Sequence, residues 1–190
     1  HVPVGDDQKQ HLELCRDIAK RFNNDFNVDD FLKVPEPLIK DEFSRIMSLK
    51  DGLKKMSKSE PSDLSRINLT DDKNQILNKI KKAKTDSLPL PSSKEELNKR
   101  SEAKNLVGIY SSLNSSTLDE TIQKFSGSSF SDFKEELSQV LVDKIGPIST
   151  EIKKLLEESN YLDKILEEGR EKAEEIALKK IKKIHEIMGF

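Results

Sequence analysis

Lys55 and Lys58 lie three residues apart in the run Lys55-Met56-Ser57-Lys58-Ser59, with Gly52 just before it and Pro61 just after. Two ammonium groups at this spacing can reach phosphate oxygens as point charges, and small hydroxyl side chains add short hydrogen bonds without bulk. Gly52 lets the backbone swing, and Pro61 stiffens the exit. The chemistry implied is closure of a loop over a polyphosphate, with cations placed where negative charge builds. The plainer reading is a solvated Lys/Ser loop in a lysine-rich chain.

A second candidate lies at the start. Val2-Pro3-Val4 reads as a short strand, and Gly5-Asp6-Asp7-Gln8 opens a helix that runs to about Phe22. Free N–H groups and the helix dipole make such a junction friendly to anions. Asp6 and Asp7 oppose phosphate there and suit ribose hydroxyls better; the plainer reading is an ordinary helix cap. His11 and Cys15 are four residues apart, a spacing metals use. Two ligands do not make a site, and Cys15 falls on the apolar stripe Leu14, Cys15, Ile18, Phe22, so no metal site is expected.

The elements that must position these groups follow from patterning. Asn23 to Pro37 is irregular, and Ser44 to Leu49 is a strand candidate leading into the lysine loop. Asp63 to Leu69 reads as extended. Thr70-Asp71-Asp72 caps a helix to about Ala83, with Ile76, Leu77 and Ile80 inward and Lys79, Lys81, Lys82 and Lys84 forming a basic far end. Thr85 to Ser93 is a loop. Helices are then expected over Glu102 to Leu113, from the Thr117-Leu118-Asp119-Glu120 capping box to Phe125, over Asp132 to Ile145, and from about Asn160 to Met188. Gly146-Pro147 is expected to break the third of these. Leu162, Ile165, Leu166, Ala173, Ile176, Ala177, Ile181, Ile184 and Ile187 are the candidate inner face of the last.

Composition narrows the classes. In 190 residues, 36% are charged and 34% hydrophobic, which suits helices with charged outer faces. The net charge is −2, so no global basic field announces a nucleic acid, and RNA contact must use local patches. The single cysteine, Cys15, forbids an internal disulfide and fits a reducing compartment. No stretch approaches the roughly 20 apolar residues of a membrane span, so no membrane partner is expected.

Three blocks together resemble one family. Val2-Pro3-Val4-Gly5-Asp6-Asp7-Gln8-Lys9-Gln10-His11-Leu12-Glu13-Leu14, Arg45-Ile46-Met47-Ser48-Leu49, and Lys54-Lys55-Met56-Ser57-Lys58-Ser59 with Pro61 are similar, in order and spacing, to tryptophanyl-tRNA synthetases. In that class I family the KMSKS loop closes on ATP. The position of Asp6 is usually Glu there, a departure that preserves charge. Further matches are Lys84-Thr85-Asp86, Asn105-Leu106-Val107-Gly108-Ile109-Tyr110 and Leu166-Glu167-Glu168-Gly169-Arg170-Glu171-Lys172-Ala173.

The resemblance implies an α/β plus all-α fold, mostly helical. Residues 1–70 would be the carboxy-terminal part of a Rossmann-type catalytic domain, and 71–190 a helical region that approaches the tRNA anticodon. It implies ATP-dependent activation of tryptophan to tryptophanyl-adenylate and transfer to tRNA(Trp). Lys55 and Lys58 would stabilise the phosphates in that step. Gly5, Asp6, Asp7, Ile46, Lys55, Met56, Ser57, Lys58 and Ser59 would bind ATP, with Asp7 on the ribose and the Ile46 backbone near the adenine, and Gln8 would face the amino acid or adenylate. Mg²⁺ would travel with ATP. A homodimer in the full-length parent and a cytoplasm of the bacterial type, or an organelle, are implied in the same way.

The family's first signature, His-Ile-Gly-His or a variant, is absent from the sequence, as is the amino-terminal Rossmann half that holds the indole. The chain is therefore expected to be a carboxy-terminal piece that makes no adenylate alone. The alternative is a non-catalytic helical RNA-binding or regulatory module derived from the family. The run Lys179, Lys180, Lys182, Lys183 suits tRNA phosphates or, equally, a solvated helix end whose cations match the negative dipole, diluted by Glu174, Glu175 and Glu186.

Overall fold

Local capping chemistry decides where most helices begin. In the computed structural model, which describes residues 8–38 and 45–190, helix α1 spans Lys9–Asp25, followed by strands β1 (Met47–Ser48) and β2 (Asp51–Lys55). Helices α2 (Lys73–Lys81), α3 (Lys94–Asn98), α4 (Ser101–Asn114), α5 (Leu118–Phe125), α6 (Phe130–Glu157) and α7 (Ser159–Met188) complete the chain. Asp72 and Thr117 each close a reciprocal capping box, with Gln75 and Glu120 respectively. Ser93 caps the short α3, which the sequence reading missed. The expected strand Val2 to Val4 and the turn at Gly5, Asp6 and Asp7 lie outside the described residues, as does Ser44.

Packing gathers the described residues into two units, one of Arg45–Lys154 and one drawn from His1–Ser44 and Leu155–Phe190. The first holds the core. Phe133, Leu137, Ile76, Ile80, Leu97, Leu106 and Leu49 are all buried, and Tyr110, Phe125 and Phe133 form an aromatic trio with edge-on contacts at 4.9 Å. The expected inward positions Leu106, Ile109 and Tyr110 are buried, but Leu77 is 37% exposed. Its place on the inner face of α2 is taken by Lys79, which is 2% exposed.

In the second unit the expected buried stripes face solvent. Leu14, Cys15 and Ile18 of α1 are exposed, and only Ala19 is buried. The helix instead turns Arg16, Phe22 and Asn23 onto the following loop. Asn23 both accepts from the Leu32 N–H (2.9 Å) and donates to the Leu32 carbonyl (2.8 Å), while Arg16 donates to the Pro35 carbonyl. Helix α7 buries no residue: Ile165, Leu166, Ile176 and Ile181 are exposed, and Leu162, Ile184 and Ile187 are only half-buried.

The expected break at Gly146-Pro147 is also corrected, since α6 runs through it without interruption. Proline's ring normally clashes with the Cβ of the preceding residue in a helix. Gly146 has no Cβ to meet the ring, although Pro147 still leaves the helix short of one backbone hydrogen bond. The Thr150 hydroxyl donates to the Gly146 carbonyl at 3.0 Å, supplementing the backbone ladder. Among the described residues no helix is long and apolar enough to cross a membrane.

Candidate functional site

The lysine loop grows out of a hairpin. Where one strand was expected over Ser44 to Leu49, the chain forms β1, turns at Leu49 and Lys50, and returns as β2, so Lys55 ends a strand rather than starting a loop. The strands pair antiparallel, Met47 opposite Lys55 and Ser48 opposite Asp51, with an irregularity between the two pairs. The Met56 N–H donates to the Ile46 carbonyl at 3.0 Å, which extends the pairing by one residue. The hairpin thus brings Ile46, Lys55 and Met56 together. Lys55, Lys58 and Ser59 are exposed, while Met56 and Ser57 are half-buried. Met56, like Ile46 and Ile67, packs against the core, so the middle of the stretch is anchored by an apolar side chain between two outward lysines.

Beyond Met56 the loop makes its own turn. The Ser57 and Ser59 hydroxyls are 2.8 Å apart, and the Ser59 N–H points at Ser57 Oγ at 3.3 Å. The Glu60 N–H reaches the Ser57 carbonyl at 3.4 Å. These are short-range bonds, so the segment from Ser57 to Ser59 is held by itself and by its two legs. Of the other expected site residues, Gln8 is exposed at the start of α1, and Gly5, Asp6 and Asp7 lie outside the described residues.

Helix α4 clamps the first leg. Asn105, 4% exposed, accepts from the Met47 N–H (2.9 Å) through Oδ1 and donates to the Met47 carbonyl (2.8 Å) through Nδ2. One side chain therefore satisfies both polar groups of a strand residue. Gly52 lies against the start of the same helix: a Cβ there would stand 2.6 Å from the Ser101 carbonyl carbon and 2.7 Å from the Glu102 nitrogen. The glycine expected to let the loop swing is needed for close backbone approach.

A second clamp involves the segment Lys84-Thr85-Asp86. The Lys84 N–H donates to the Leu49 carbonyl at 2.7 Å, and its ammonium pairs with Glu102 at 2.8 Å. That ammonium, followed by the Ser101 hydroxyl, pulls the Glu102 carboxyl down to about 2. Asp86 accepts a fork from Arg100 (2.9 and 2.5 Å), which also lowers its pKa. Arg100 stacks over Phe130 at 5.5 Å. Asp86 and Asn105, noted in the sequence only as family matches, and Lys84, read also as part of a basic helix end, are joints that hold the hairpin to the helical core.

The second leg is braced from α2. Arg66 Nη1 donates to the Glu60 carbonyl at 2.8 Å, and Arg66 Nη2 stands 3.3 Å from Asp63. Residues 63–65 form a single 3₁₀ turn, and Asp63 to Leu69 is not the extended segment expected. The brace ends on the buried Lys79. Sequence reasoning missed Asn105 and Lys79 alike, although a signal existed. Both interrupt apolar stripes, Asn105 next to Leu106 and Ile109, Lys79 between Ile76 and Ile80, where a polar side chain has to find partners inside.

Of the basic run on α7, Lys179 pairs with Glu175 at 2.7 Å, and Lys180 lies 3.6 Å from the centroid of Phe31 while donating to the Phe31 carbonyl. Lys33, Lys179, Lys180 and Lys183 rim an open depression with Asp30, Phe31 and Ile176. His11 and Cys15 are exposed, and no group of three metal-binding side chains occurs among the described residues.

Comparison with known proteins agrees with this geometry. The family described as tRNA synthetases class I (W and Y) matches residues 1–146. The chain is 49% identical over 190 residues to a tryptophan–tRNA ligase of Caulobacter vibrioides, covering 100% of this chain and 55% of the relative. It is 48% identical over 208 residues to the corresponding ligase of Agrobacterium fabrum, covering 59% of it. A crystal structure of tryptophanyl-tRNA synthetase from Mycoplasma pneumoniae superposes with a TM-score of 0.81 at 29% identity, covering 100% of this chain and 56% of that one. The Campylobacter jejuni enzyme, solved with ADP and tryptophan, gives 0.66 at 27% identity and the same coverage. The chain spans a little over half the length of the relatives it matches.

Proposed function

The chain belongs to the class I tRNA synthetases of the tryptophan and tyrosine group, as a carboxy-terminal portion of the tryptophanyl kind, and on that premise we propose that it supplies the ATP-closing loop of a tryptophan–tRNA ligase. The observation that carries the reading is the hairpin, which sets Ile46 against Met56 and leaves Lys55 and Lys58 exposed on either side.

In the proposed reaction the tryptophan carboxylate attacks the α-phosphate of ATP. Tryptophanyl-adenylate forms, and pyrophosphate leaves with its electron pair. Negative charge grows on the departing phosphates. Lys55 and Lys58 interact with that charge more strongly in the transition state than in the ground state, which lowers the barrier rather than merely binding ATP. Ser57 and Ser59 exchange their mutual hydrogen bond for phosphate oxygens. Ile46 presents backbone to the adenine. Gly5, Asp6 and Asp7 meet the nucleoside, with Asp7 on the ribose, and Gln8 faces the amino acid or adenylate. Mg²⁺ enters as part of the nucleotide substrate. Loop closure then excludes water. In the second step a hydroxyl of the terminal ribose of tRNA(Trp) attacks the tryptophanyl carbonyl and AMP leaves, with the helical residues from about 71 onward on the tRNA side. A homodimer and a cytoplasmic setting belong to the same proposal.

The residues here hold one wall of that site. The His-Ile-Gly-His signature is absent from the sequence, so the 190-residue chain alone is expected to make no adenylate. The test is tryptophan-dependent ATP–pyrophosphate exchange by the chain, with and without the amino-terminal half of the ligase. Exchange only in the presence of both halves supports the proposal. Robust exchange by the chain alone places the tryptophan pocket within these residues and overturns the division.

A further inference from the structure

Lys79 is the one buried lysine among the described residues, and its partners lie on the exit leg of the loop. Its ammonium stands 2.6 Å from Asp71, itself 3% exposed, and 2.7 Å from the half-exposed Asp63. Asn68 ties those two carboxylates together, donating through Nδ2 to Asp63 (2.9 Å) and Asp71 (3.2 Å), while its own N–H reaches Asp71 at 2.8 Å. Asp63 in turn holds Arg66, whose guanidinium donates to the Glu60 carbonyl (2.8 Å) and reaches the Ser62 carbonyl (3.4 Å). An unbroken series of contacts therefore runs from the interior of α2 to the residue next to Ser59.

Burying an ammonium is costly, and a buried ion pair is often no more stable than an apolar replacement of similar size. What the pair does supply is direction. A methyl group at the end of the same side chain would fill the space but would hold neither carboxylate. Asp71 is already fixed at the start of α2, beside the capping residue Asp72. Asp63 is not, because it sits in a single 3₁₀ turn with half its surface in water. The Lys79 contact to Asp63, beside the Asn68 bridge between the two carboxylates, thus links the rigidity of α2 to the loop exit.

We propose that Lys79 is a positioning residue for the nucleotide loop: through Asp63 and Arg66 it fixes the Glu60 carbonyl, and so sets where Ser59 and Lys58 stand relative to the phosphates. Lys79 touches no nucleotide. The first leg is pinned by Asn105 and Gly52, so the free span is the short stretch between Met56 and Glu60. This proposal rests on the ligase reading for its effect on ATP. The anchoring itself does not depend on that reading.

Two variants test it. Lys79→Met keeps bulk and removes the charge; Asp63→Ala changes an exposed position, so it folds even if Lys79→Met does not. Amide hydrogen exchange in the 190-residue chain is expected to rise about ten-fold at residues 57–62, the size of one lost charge-assisted hydrogen bond, while α4 and α6 keep their protection. In the full-length ligase, the KM for ATP in pyrophosphate exchange is expected to rise by a similar factor, with the KM for tryptophan unchanged within about two-fold. Unaltered protection at residues 57–62 in folded Asp63→Ala overturns the anchor. Equal rises in both KM values overturn the positioning role and leave a purely structural brace. Faster amide exchange in a full-length protein that shows no tryptophan-dependent exchange confirms the anchor and rejects the ligase reading instead.

Discussion

Helices α4 and α7 both carry apolar residues at helical spacing, yet one is the centre of a core and the other buries nothing. In α4, Ala103, Leu106, Val107 and Tyr110 are each 5% exposed or less; in α7, Ile165, Leu166, Ile176 and Ile181 are between 46% and 74% exposed. A helical stripe states that a face is apolar, but it does not state what covers it. Within Arg45–Lys154, polar joints and the core hold the hairpin at Met47, Leu49 and Gly52, while Leu53 to Lys55 face solvent. In the unit of α1 and α7 the contacts among the described residues include Arg16 to Pro35, Asn23 to Leu32, Phe22 to Phe31 and Lys180 to Phe31. The loop proposed to act on ATP is rooted in the tightly packed unit.

The sharpest way to break that contrast is to truncate one residue in each unit. Phe133→Ala, at 0% exposure, is expected to cost about 3–5 kcal/mol in urea unfolding, whereas Ile176→Ala is expected to stay within about 0.5 kcal/mol. Comparable losses would mean that α7 shares in the core. Next in size is Gly52→Ala. The new methyl meets backbone rather than a side chain that can move, so a loss of about 1–3 kcal/mol is expected, with displacement of the hairpin visible in the amide shifts of Met47 and Glu102.

A smaller effect concerns acid. The Glu102 carboxyl, held at about 2 by Lys84 and Ser101, lies below its ordinary 4.5. The unfolded chain therefore binds a proton that the native chain refuses. The contribution is complete above pH 4.5 and disappears as pH falls toward 2. Glu102→Gln is expected to flatten that part of the stability–pH curve; an unchanged slope would show that the Lys84 pair is not maintained in solution. The least demanding comparison is chemical. Cys15 is exposed on α1, so a thiol reagent is expected to label the native chain fully without denaturant. Protection of Cys15 would restore the buried stripe that its spacing suggests.

Much of the helical half was legible because its signals are local. The Thr117 box, the Asp72 cap and the Leu106, Ile109, Tyr110 face depend on residues within a turn of each other. Helix α6 was misjudged at Gly146-Pro147, where the rule that proline breaks a helix met a preceding glycine with no Cβ to clash with the ring. The Lys55 to Ser59 stretch was legible as chemistry, but its support was not. Asn105 reaches Met47 across 58 residues; a polar residue inside an apolar stripe marks Asn105 and Lys79 as needing partners, but nothing at short range says that those partners are Met47 and Asp63. Lys79 was read as part of a basic helix end, since its neighbours Lys81, Lys82 and Lys84 mask the single lysine that points inward.

The central claim is that the exposed lysines of this loop stabilise charge on ATP during activation of tryptophan. Its most direct measurement is pyrophosphate exchange by the full-length ligase carrying Lys58→Ala, with tryptophan binding measured separately. The account predicts a fall of about 10²–10³ in kcat, as for loss of a preorganised charge at the reacting centre, with tryptophan affinity unchanged. Wild-type kcat in the variant would contradict it and leave the stretch a solvated loop.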